Sequence, residues 1–410
     1  MFKGILVLCV SLIPYSLYAQ NPSGMIVPAD SVMKYQDTSG QRDIIGVLSN
    51  LTHIRIKKPP RVEGRRVYYS LIPIGTSVPG GGTALITATT AAFYLGDRKS
   101  TNLSSITFSP STNFQGQWNI PFHANIWNPN NTWNYSGDVR LTVYPQYTWG
   151  PGGNRPDSDR ILIRYTFVRL YFNALKRIKP YLFAGFGYSM DYHINIRTDD
   201  GYDTSLQKFT RYRYGTAEHS NSFSSGLTFN VLYDSRNNPI NPLPGWYWNI
   251  VYRVNPRFLG SDDLWQSLYL DARKYIPFSR TSQNMLALWS FFWTSLGDKT
   301  PYLDLPAIGQ DAYQRSGRGI YPSHYMGQSL YYLEAEYRRD ITSDGLLGFV
   351  VFSNVNTVTE PHTDRFSYLH PAVGAGLRIK FNKHSGTNVT LDVATSKGRT
   401  AIYIGLGEVF

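Results

Sequence analysis

The chain has 410 residues and a formal net charge of +12, yet only 17% of its residues are charged while 15% are aromatic. After Leu17 no stretch approaches the roughly 20 consecutive apolar residues of a membrane-spanning helix, which excludes a helical membrane protein. The only cysteine, Cys9, leaves no disulfide, thiolate metal site or cysteine nucleophile downstream of it. Low charge and many aromatic residues favour strands that are apolar on one face only.

The N-terminus has the layout of a secretory signal peptide. Lys3 gives a positive start, residues 5–17 form a short apolar run, and polarity returns at Gln20. This layout predicts a signal peptide over residues 1–19, cleaved after Ala19. Because an exported chain does not meet nucleic acid, the charge of +12 predicts no nucleic-acid partner.

Residues 20–65 do not alternate and are predicted to be a short periplasmic segment before the main domain. The apolar residues between Arg42 and His53 follow a weak helical spacing. Two interpretations stay open: a short amphipathic helix, at the periplasmic mouth or inside the lumen, or a flexible leader. The basic cluster between Arg55 and Arg66 either meets anionic lipid headgroups or is solvated.

Alternation with a period of two dominates residues 66–410. In residues 329–338, one set of alternate side chains is apolar and the other set is Tyr332, Glu334, Glu336 and Arg338. Successive side chains of a strand face opposite sides, so one face would meet lipid and the other a wet lumen. There are about sixteen such segments, each near the roughly 9–11 residues of a tilted membrane strand.

The gaps between these segments alternate between long and short along the chain. Long gaps such as 197–220 and 297–328 follow odd-numbered segments, and short gaps such as 382–386 follow even-numbered ones. Outer-membrane barrels have long external loops and short periplasmic turns in this order. The sequence therefore predicts an all-β protein, a transmembrane antiparallel β-barrel of about sixteen strands over residues 66–410.

A turn motif lies between the eighth and ninth segments. Asp234 and Arg236 are placed to pair across a tight turn that Asn and Pro residues favour, with Pro239 following them. The parity of the gaps predicts that this turn is periplasmic.

A second motif lies in the sixth long gap, where Arg318-Gly319-Ile320-Tyr321 precedes a strand carrying Glu334 and Glu336. Together with the turn motif, it resembles the BamA/TamA-type outer-membrane assembly-factor superfamily, also called the bacterial surface antigen family. The resemblance covers the barrel. In that family the sixth external loop folds into the lumen and its arginine contacts acidic wall residues.

The resemblance therefore implies a loop–lumen anchor formed by Arg318, Gly319, Tyr321, Glu336 and Asn354. A buried arginine needs an acidic partner because an unpaired interior charge is costly, and Glu336 is the expected one. Family members place an aspartate where this chain has Asn354. An amide there accepts a hydrogen bond from Arg318 without full charge, which predicts a weaker anchor.

The chain ends in an alternating stretch whose last residue is Phe410, similar to the signal that barrel-assembly machinery reads. We predict a last strand that ends at Phe410 and closes on the first strand near Val67 and Tyr69. Gly405 and Gly407 predict a thinly packed seam, because glycine weakens a strand. The resemblance implies that this seam is a lateral gate.

By resemblance, the function is insertion or translocation of proteins or lipids through that gate in the outer membrane of a Gram-negative bacterium. The implied partners are outer-membrane lipids, the barrel-assembly machinery during the chain's own insertion, and protein or lipid clients. Residues 20–65 are too few for the periplasmic domains of such factors, so a barrel-only member is expected. A porin-like or narrow diffusion channel is the alternative, with lumen charges setting selectivity.

No local serine–histidine pattern or phosphate-binding glycine loop stands out, so we expect neither an enzyme nor a cofactor. Asp199, Asp200 and Asp203 around Gly201 suggest calcium, but one incomplete acidic turn in an external loop is more often solvated, and no metal site is predicted.

Overall fold

A computed structural model describes residues 40–52, 61–62, 65–78, 82–113, 116–198, 220–236, 238–242, 244–278, 284–397 and 399–410. The predicted signal peptide, most of residues 20–65 and the loop with Asp199, Asp200 and Asp203 lie outside these residues. Among the helices that the structure describes, none has the length and apolar character needed to cross a membrane.

The described residues form one helix, α1 (Ile44–Thr52), short 3-10 turns and nineteen strands. The strands are β1 (Arg61–Val62), β2 (Arg65–Val78), β3 (Gly82–Phe93), β4 (Ser104–Phe108), β5 (Ser111–Thr112), β6 (Trp118–Trp127), β7 (Trp133–Val143), β8 (Gln146–Thr148), β9 (Ile161–Lys179), β10 (Leu182–Thr198), β11 (Ser222–Asp234), β12 (Gly245–Asn255), β13 (Trp265–Pro277), β14 (Asn284–Leu296), β15 (Ser329–Asp340), β16 (Leu347–Val358), β17 (His370–Asn382), β18 (Thr387–Ser396) and β19 (Arg399–Leu406).

Neighbouring strands of the sheet are antiparallel and follow one another along the chain. Strands β4 and β5 both lie between β3 and β6, while β7 and β8 both pair with β9. From β2 to β19 the strands therefore fill sixteen positions, since β4 shares a position with β5 and β7 with β8. The predicted all-β antiparallel barrel is confirmed.

Each strand is apolar on the outside and largely polar on the inside. In β15 the buried side chains include Glu334, Glu336 and Arg338, whereas their neighbours along the strand are exposed or half-buried. Large apolar side chains remain exposed on other strands, including Phe186 and Ile402, each with 67% of its surface accessible. Such an outer surface is suited to contact with lipid rather than water.

Pro110 interrupts one strand position and separates β4 from β5. One predicted boundary is wrong. The last strand ends at Leu406 rather than Phe410, because Gly407 has a φ of +80° and turns the chain off the wall.

Helix α1 lies at the end of the barrel that carries the short turns, here called the short-turn end. Asp43 caps the helix, accepting a hydrogen bond from the Gly46 amide at 2.8 Å. The same carboxylate accepts a bond from the Lys383 amide at 3.0 Å, in the β17–β18 turn. The Arg42 amide donates to the Asp344 carbonyl in the β15–β16 turn. The described helix therefore contacts turns at the mouth of the barrel.

A candidate loop-anchor site in the lumen

The long connection between β14 and β15, here called the sixth loop (residues 297–328), folds into the barrel beyond its exposed residues 297–299. Its residues Tyr302, Leu305 and Ala307 are almost fully buried. Ile308 and Ile320 pack in one apolar cluster with Trp289 and other wall residues. Burial of these apolar side chains stabilises the loop in the lumen, at roughly 25 cal/mol per Å² of area removed from water.

The guanidinium of Arg318 contacts three carboxylates. It donates to Glu334 and Glu336 on β15, and its Nη1 lies 2.6 Å from Asp392 Oδ2 on β18. Its central carbon lies 3.4 Å from the centre of the Phe352 ring. The side chain is 3% exposed. A buried cation is tolerated only when it is neutralised, and three anions do so here.

Glycine residues clear the space that this arrangement needs. A Cβ atom at Gly376 would overlap the Asp392 carboxylate, and one at Gly374 would overlap the Phe352 ring. Gly319 has a φ of +95°, which favours glycine. Its amide donates to the Tyr403 hydroxyl on β19 at 2.8 Å.

Two further arginines extend the network into what we call the luminal ion cluster. Arg338 Nε donates to Glu336 at 2.6 Å. Arg378 of β17 links β18 to the residues after β19, with Nη1 2.5 Å from Asp392 and Nε 2.8 Å from Glu408. The cluster consists of Arg318, Arg338, Arg378, Glu334, Glu336, Asp392 and Glu408.

The C-terminal tail (residues 407–410) enters the lumen and joins this cluster. Asn388 Nδ2 donates to Glu408 at 2.7 Å, and Arg338 Nη2 donates to the Phe410 carbonyl at 2.9 Å. The Phe410 ring packs 5.2 Å from that of Trp289. From the sixth loop, Arg315 donates to the Glu408 carbonyl. Loop, wall and chain end are therefore connected.

The sixth loop has a second polar contact on the opposite wall. Ser224 Oγ on β11 donates to Asp304 Oδ2 at 2.6 Å, and His193 Nδ1 on β10 lies 4.0 Å from the other oxygen. Burial, and then the negative charge of Asp191, raise the pKa of Asp304 to about 7. The loop thus spans the lumen between two polar attachment points.

Beside the loop there is a cavity of about 540 Å³. Ion pairs between strands line it: Asp191 of β10 pairs with Arg169 of the neighbouring β9 at 2.8 Å and with Arg253 of β12, two positions away, at 2.6 Å. Arg140 and Asp138 form a similar pair two residues apart on β7. Acidic and basic side chains alternate in this lining, which leaves the cavity polar without one dominant sign of charge.

The structure brings most of the predicted anchor residues together, with two differences. Asn354 does not accept a bond from the guanidinium: its Nδ2 donates to the Arg318 carbonyl at 3.0 Å, and Asp392 supplies the missing carboxylate from β18. Tyr321 points away from the cluster, with the Arg399 guanidinium 3.4 Å from its ring centre. Asp392 therefore supplies the negative charge that Asn354 lacks, and the weaker anchor stays a prediction.

Sequence reasoning missed Asp392 and Glu408 as cluster members. Asp392 and Thr390 lie two residues apart on β18 and both face the lumen. The period-two pattern therefore indicated the direction of the Asp392 side chain. Nothing in the pattern indicated its partner, because β18 and β15 are not adjacent.

The predicted turn motif forms a compact pair. Arg236 donates two bonds to Asp234, at 2.9 and 2.8 Å, and its guanidinium covers the Tyr247 ring. Beyond Pro239 the turn reaches the C-terminal tail, where the Glu408 amide donates to the Ile240 carbonyl at 3.0 Å. The turn thus lies across the short-turn mouth of the lumen.

The predicted seam residues lie at the two ends of the sheet. Val67 is buried, whereas Tyr69 is 50% exposed on the outside of β2. Gly405 stays within β19, while Gly407 begins the inward turn. Phe410 is 3% exposed and faces the lumen, so it does not end the seam strand as predicted.

Comparisons with known proteins agree with this architecture. The Omp85 superfamily domain matches residues 103–383. The fold is similar to BamA from Haemophilus ducreyi lacking POTRA domains 1-3, at 14% identity and a TM-score of 0.50, covering 83% of this chain and 69% of that one. CdiB from Escherichia coli gives 12% identity and a TM-score of 0.55, with coverage of 83% and 62%.

CdiB from Acinetobacter baumannii gives 13% identity and a TM-score of 0.53, with coverage of 86% of this chain and 60% of that one. The chain thus spans less than two thirds of either CdiB protein. No curated protein matches the sequence. Since the family match covers more than half of its residues, the chain belongs to the Omp85 superfamily.

Proposed function

We propose that this chain assists the insertion or translocation of proteins or lipids in the outer membrane of a Gram-negative bacterium, through the seam between β2 and β19. Membership of the Omp85 superfamily and similarity to BamA and CdiB barrels support a role in protein insertion or translocation. The proposal includes no catalytic step and no cofactor. Its partners are membrane lipids, the client, and the barrel-assembly machinery during the chain's own insertion.

The observation that carries the proposal is the character of the seam. Strands β19 and β2 are neighbours in the sheet, but among the described residues long registers of backbone pairs join only the other successive positions, such as β18 with β19 and β2 with β3. Leu406 on β19 instead packs in an apolar cluster with Ala88 and Ile72. Opening a contact held by side chains costs less free energy than separating two strands joined by a ladder of backbone hydrogen bonds.

Pro73 and Gly405 further weaken this boundary. Pro73 lies in β2. Proline has no amide hydrogen to donate to a backbone ladder, so within sheets it is confined to edge strands. Glycine in β19 contributes no side chain to the contact. The sequence of both seam strands therefore favours a boundary that separates.

A narrow channel is the second candidate, favoured by the cavity of about 540 Å³ with its charged lining. The sixth loop and the tail occupy the remaining lumen, which argues against a wide pore. Planar-bilayer recordings separate the two candidates. A channel gives steady conductance, whereas a closed insertase gives small or flickering currents.

Cross-linking the seam tests the leading proposal. One cysteine replaces Tyr69 or Leu71 and another replaces Ile402 or Ile404, all on the lipid-facing side. The only natural cysteine, Cys9, lies in the predicted signal peptide. A bifunctional methanethiosulfonate reagent, which attaches to each thiol through a reducible disulfide, links pairs that lie beyond direct disulfide reach.

The readout is the rate at which an unfolded small outer-membrane barrel folds into phospholipid vesicles containing this chain. We expect linked variants to lose the acceleration and to regain it after reduction. The matched control replaces Phe186 of β10 and Phe229 of β11 with cysteine and links them in the same way, since these two residues are paired in register. Equal acceleration with the seam locked and open would refute the lateral route.

A further inference from the structure

Two lysines stand opposite tryptophans in the strand register on the outside of the barrel, near the short-turn end. Lys176 of β9 is exposed and stands opposite Trp133 of β7 in the strand register. Lys274 of β13 stands opposite Trp246 of β12, with its Nζ 3.9 Å from the centre of the indole ring. The alternate residues of these strands, such as Arg273, line the lumen. Both lysines therefore face the bilayer.

The aromatic partners indicate the depth at which these lysines lie. Trp133 stacks on Tyr135 and Trp246 on Trp248, each with ring centres 6.0 Å apart. Tryptophan and tyrosine concentrate where hydrocarbon meets headgroups, since their rings are apolar and their N–H and O–H groups are polar. A lysine ammonium beside such a ring is then at the level of the lipid phosphates.

The sequence stretches around the two lysines are basic and contain no acidic residue. Residues 174–182 contain Lys176, Arg177 and Lys179, residues 272–278 contain Arg273 and Lys274, and neither stretch contains Asp or Glu. Arg273 is neutralised from inside by Asp271 at 2.7 Å, whereas Lys274 lies against the Trp246 indole and Lys176 is exposed. The β15–β16 turn at the same end instead carries Asp344, which faces Arg42 at 3.8 Å.

We propose that this basic–aromatic rim, formed by Trp133, Tyr135, Lys176, Trp246, Trp248 and Lys274, selects anionic phospholipid headgroups over zwitterionic ones. The ammonium groups attract the net negative phosphate, and the indole and phenol rings hold the glycerol region. The inference rests on the barrel lying in a bilayer and is independent of any transport through the seam.

The test measures lipid association by tryptophan quenching. The mature chain is reconstituted in phosphatidylcholine vesicles with increasing fractions of brominated phosphatidylglycerol, and in parallel with brominated phosphatidylcholine. Because the rim tryptophans are half-exposed on the lipid side, they are accessible to the quencher. We expect phosphatidylglycerol to associate roughly fivefold more strongly per lysine at low salt, with the preference falling as salt rises.

The variant is Lys176→Gln with Lys274→Gln, and the matched control is Lys299→Gln, an exposed lysine at the opposite end of the barrel. The double variant should lose most of the preference and the control should keep it. The single variants give the same comparison if the double variant does not fold. Inorganic phosphate at millimolar concentration should not displace the lipid, which separates a headgroup site from a free-phosphate site.

Equal association of the two lipids with the natural chain would overturn the proposal, as would an unchanged preference in the double variant. Displacement by inorganic phosphate would also overturn it. None of these outcomes bears on the seam, because the cross-linking assay reports client folding and this one reports lipid binding.

Discussion

The two sides of the lumen are filled in different ways. Beside β15–β19, the luminal ion cluster joins a loop, three strands and the chain end around Arg318. Beside β7–β13, ion pairs such as Arg140 with Asp138 join residues of the same strand or of strands one or two positions apart around a cavity, and Arg140 also donates to the Ala312 carbonyl of the sixth loop. Pairs of the second kind stabilise the wall locally. The cluster connects parts of the molecule that are far apart in sequence, so its loss affects the loop and the seam together.

The largest effect is expected from Arg318→Ala. Removing the cation leaves Glu334, Glu336 and Asp392 facing one another in a buried site, which costs about 3–5 kcal/mol. Urea titration of the folded barrel, followed by gel mobility, measures this. The sixth loop should also become sensitive to protease.

Arg140→Ala is the matched comparison. The variant loses the pair with Asp138 and one hydrogen bond to the Ala312 carbonyl of the sixth loop. Asp138 keeps His123 at 3.2 Å and Arg169 at 3.7 Å as neighbours, so we expect a cost of only about 1–2 kcal/mol. Similar losses for the two variants would show that the cluster is no more important than a local pair.

A smaller effect is expected from Phe410→Ala. The ring fills a buried site against Trp289 and Tyr275, so its removal leaves a cavity and costs about 3 kcal/mol. Phe186→Ala, on the lipid face, is the control and should cost less because its ring is 67% exposed. Single-channel recordings should also show more open events for Phe410→Ala. An effect no larger than that of the control would mean that the tail does not hold the lumen closed.

Gly376→Ala comes next. The added Cβ overlaps the Asp392 carboxylate, which must move away from Arg318 and Arg378, at a cost of about 1–3 kcal/mol. At Gly137 the nearest atom to an added Cβ is 3.6 Å away, so Gly137→Ala should be nearly neutral. The two variants are compared in the same urea titration, and equal midpoints would contradict the packing argument.

The smallest effect is a pH dependence of loop attachment through Asp304. Its pKa in the folded chain, about 7, lies above the ordinary value of 3.8. The folded state therefore binds more protons than the unfolded state between about pH 4 and 7, and its stability falls as pH rises through that window. The protection factors of amides in residues 297–310, which are exchange rates corrected for the intrinsic effect of pH, should be lower at pH 8 than at pH 5. Asp304→Asn should remove this pH dependence. If the natural chain showed no pH dependence, the role given to Asp304 would be contradicted.

Local sequence pattern predicted the wall because alternation is a property of each strand alone, as in β15. It also predicted the direction of Glu336 and, by resemblance, its contact with Arg318. It could not predict Asp392 as a partner, because contacts across a lumen depend on how non-adjacent strands curve towards each other. Nor could it separate Gly405, which stays in the strand, from Gly407, which leaves it: both are glycines in an alternating stretch, and only tertiary contacts decide between them.

The inward course of the tail has a practical consequence. Phe410 is 3% exposed and its carbonyl is held by Arg338, so residues fused after it would have to be accommodated within the barrel or would expel the aromatic ring. An affinity tag at the carboxyl terminus is thus a perturbation of the interior rather than a neutral handle.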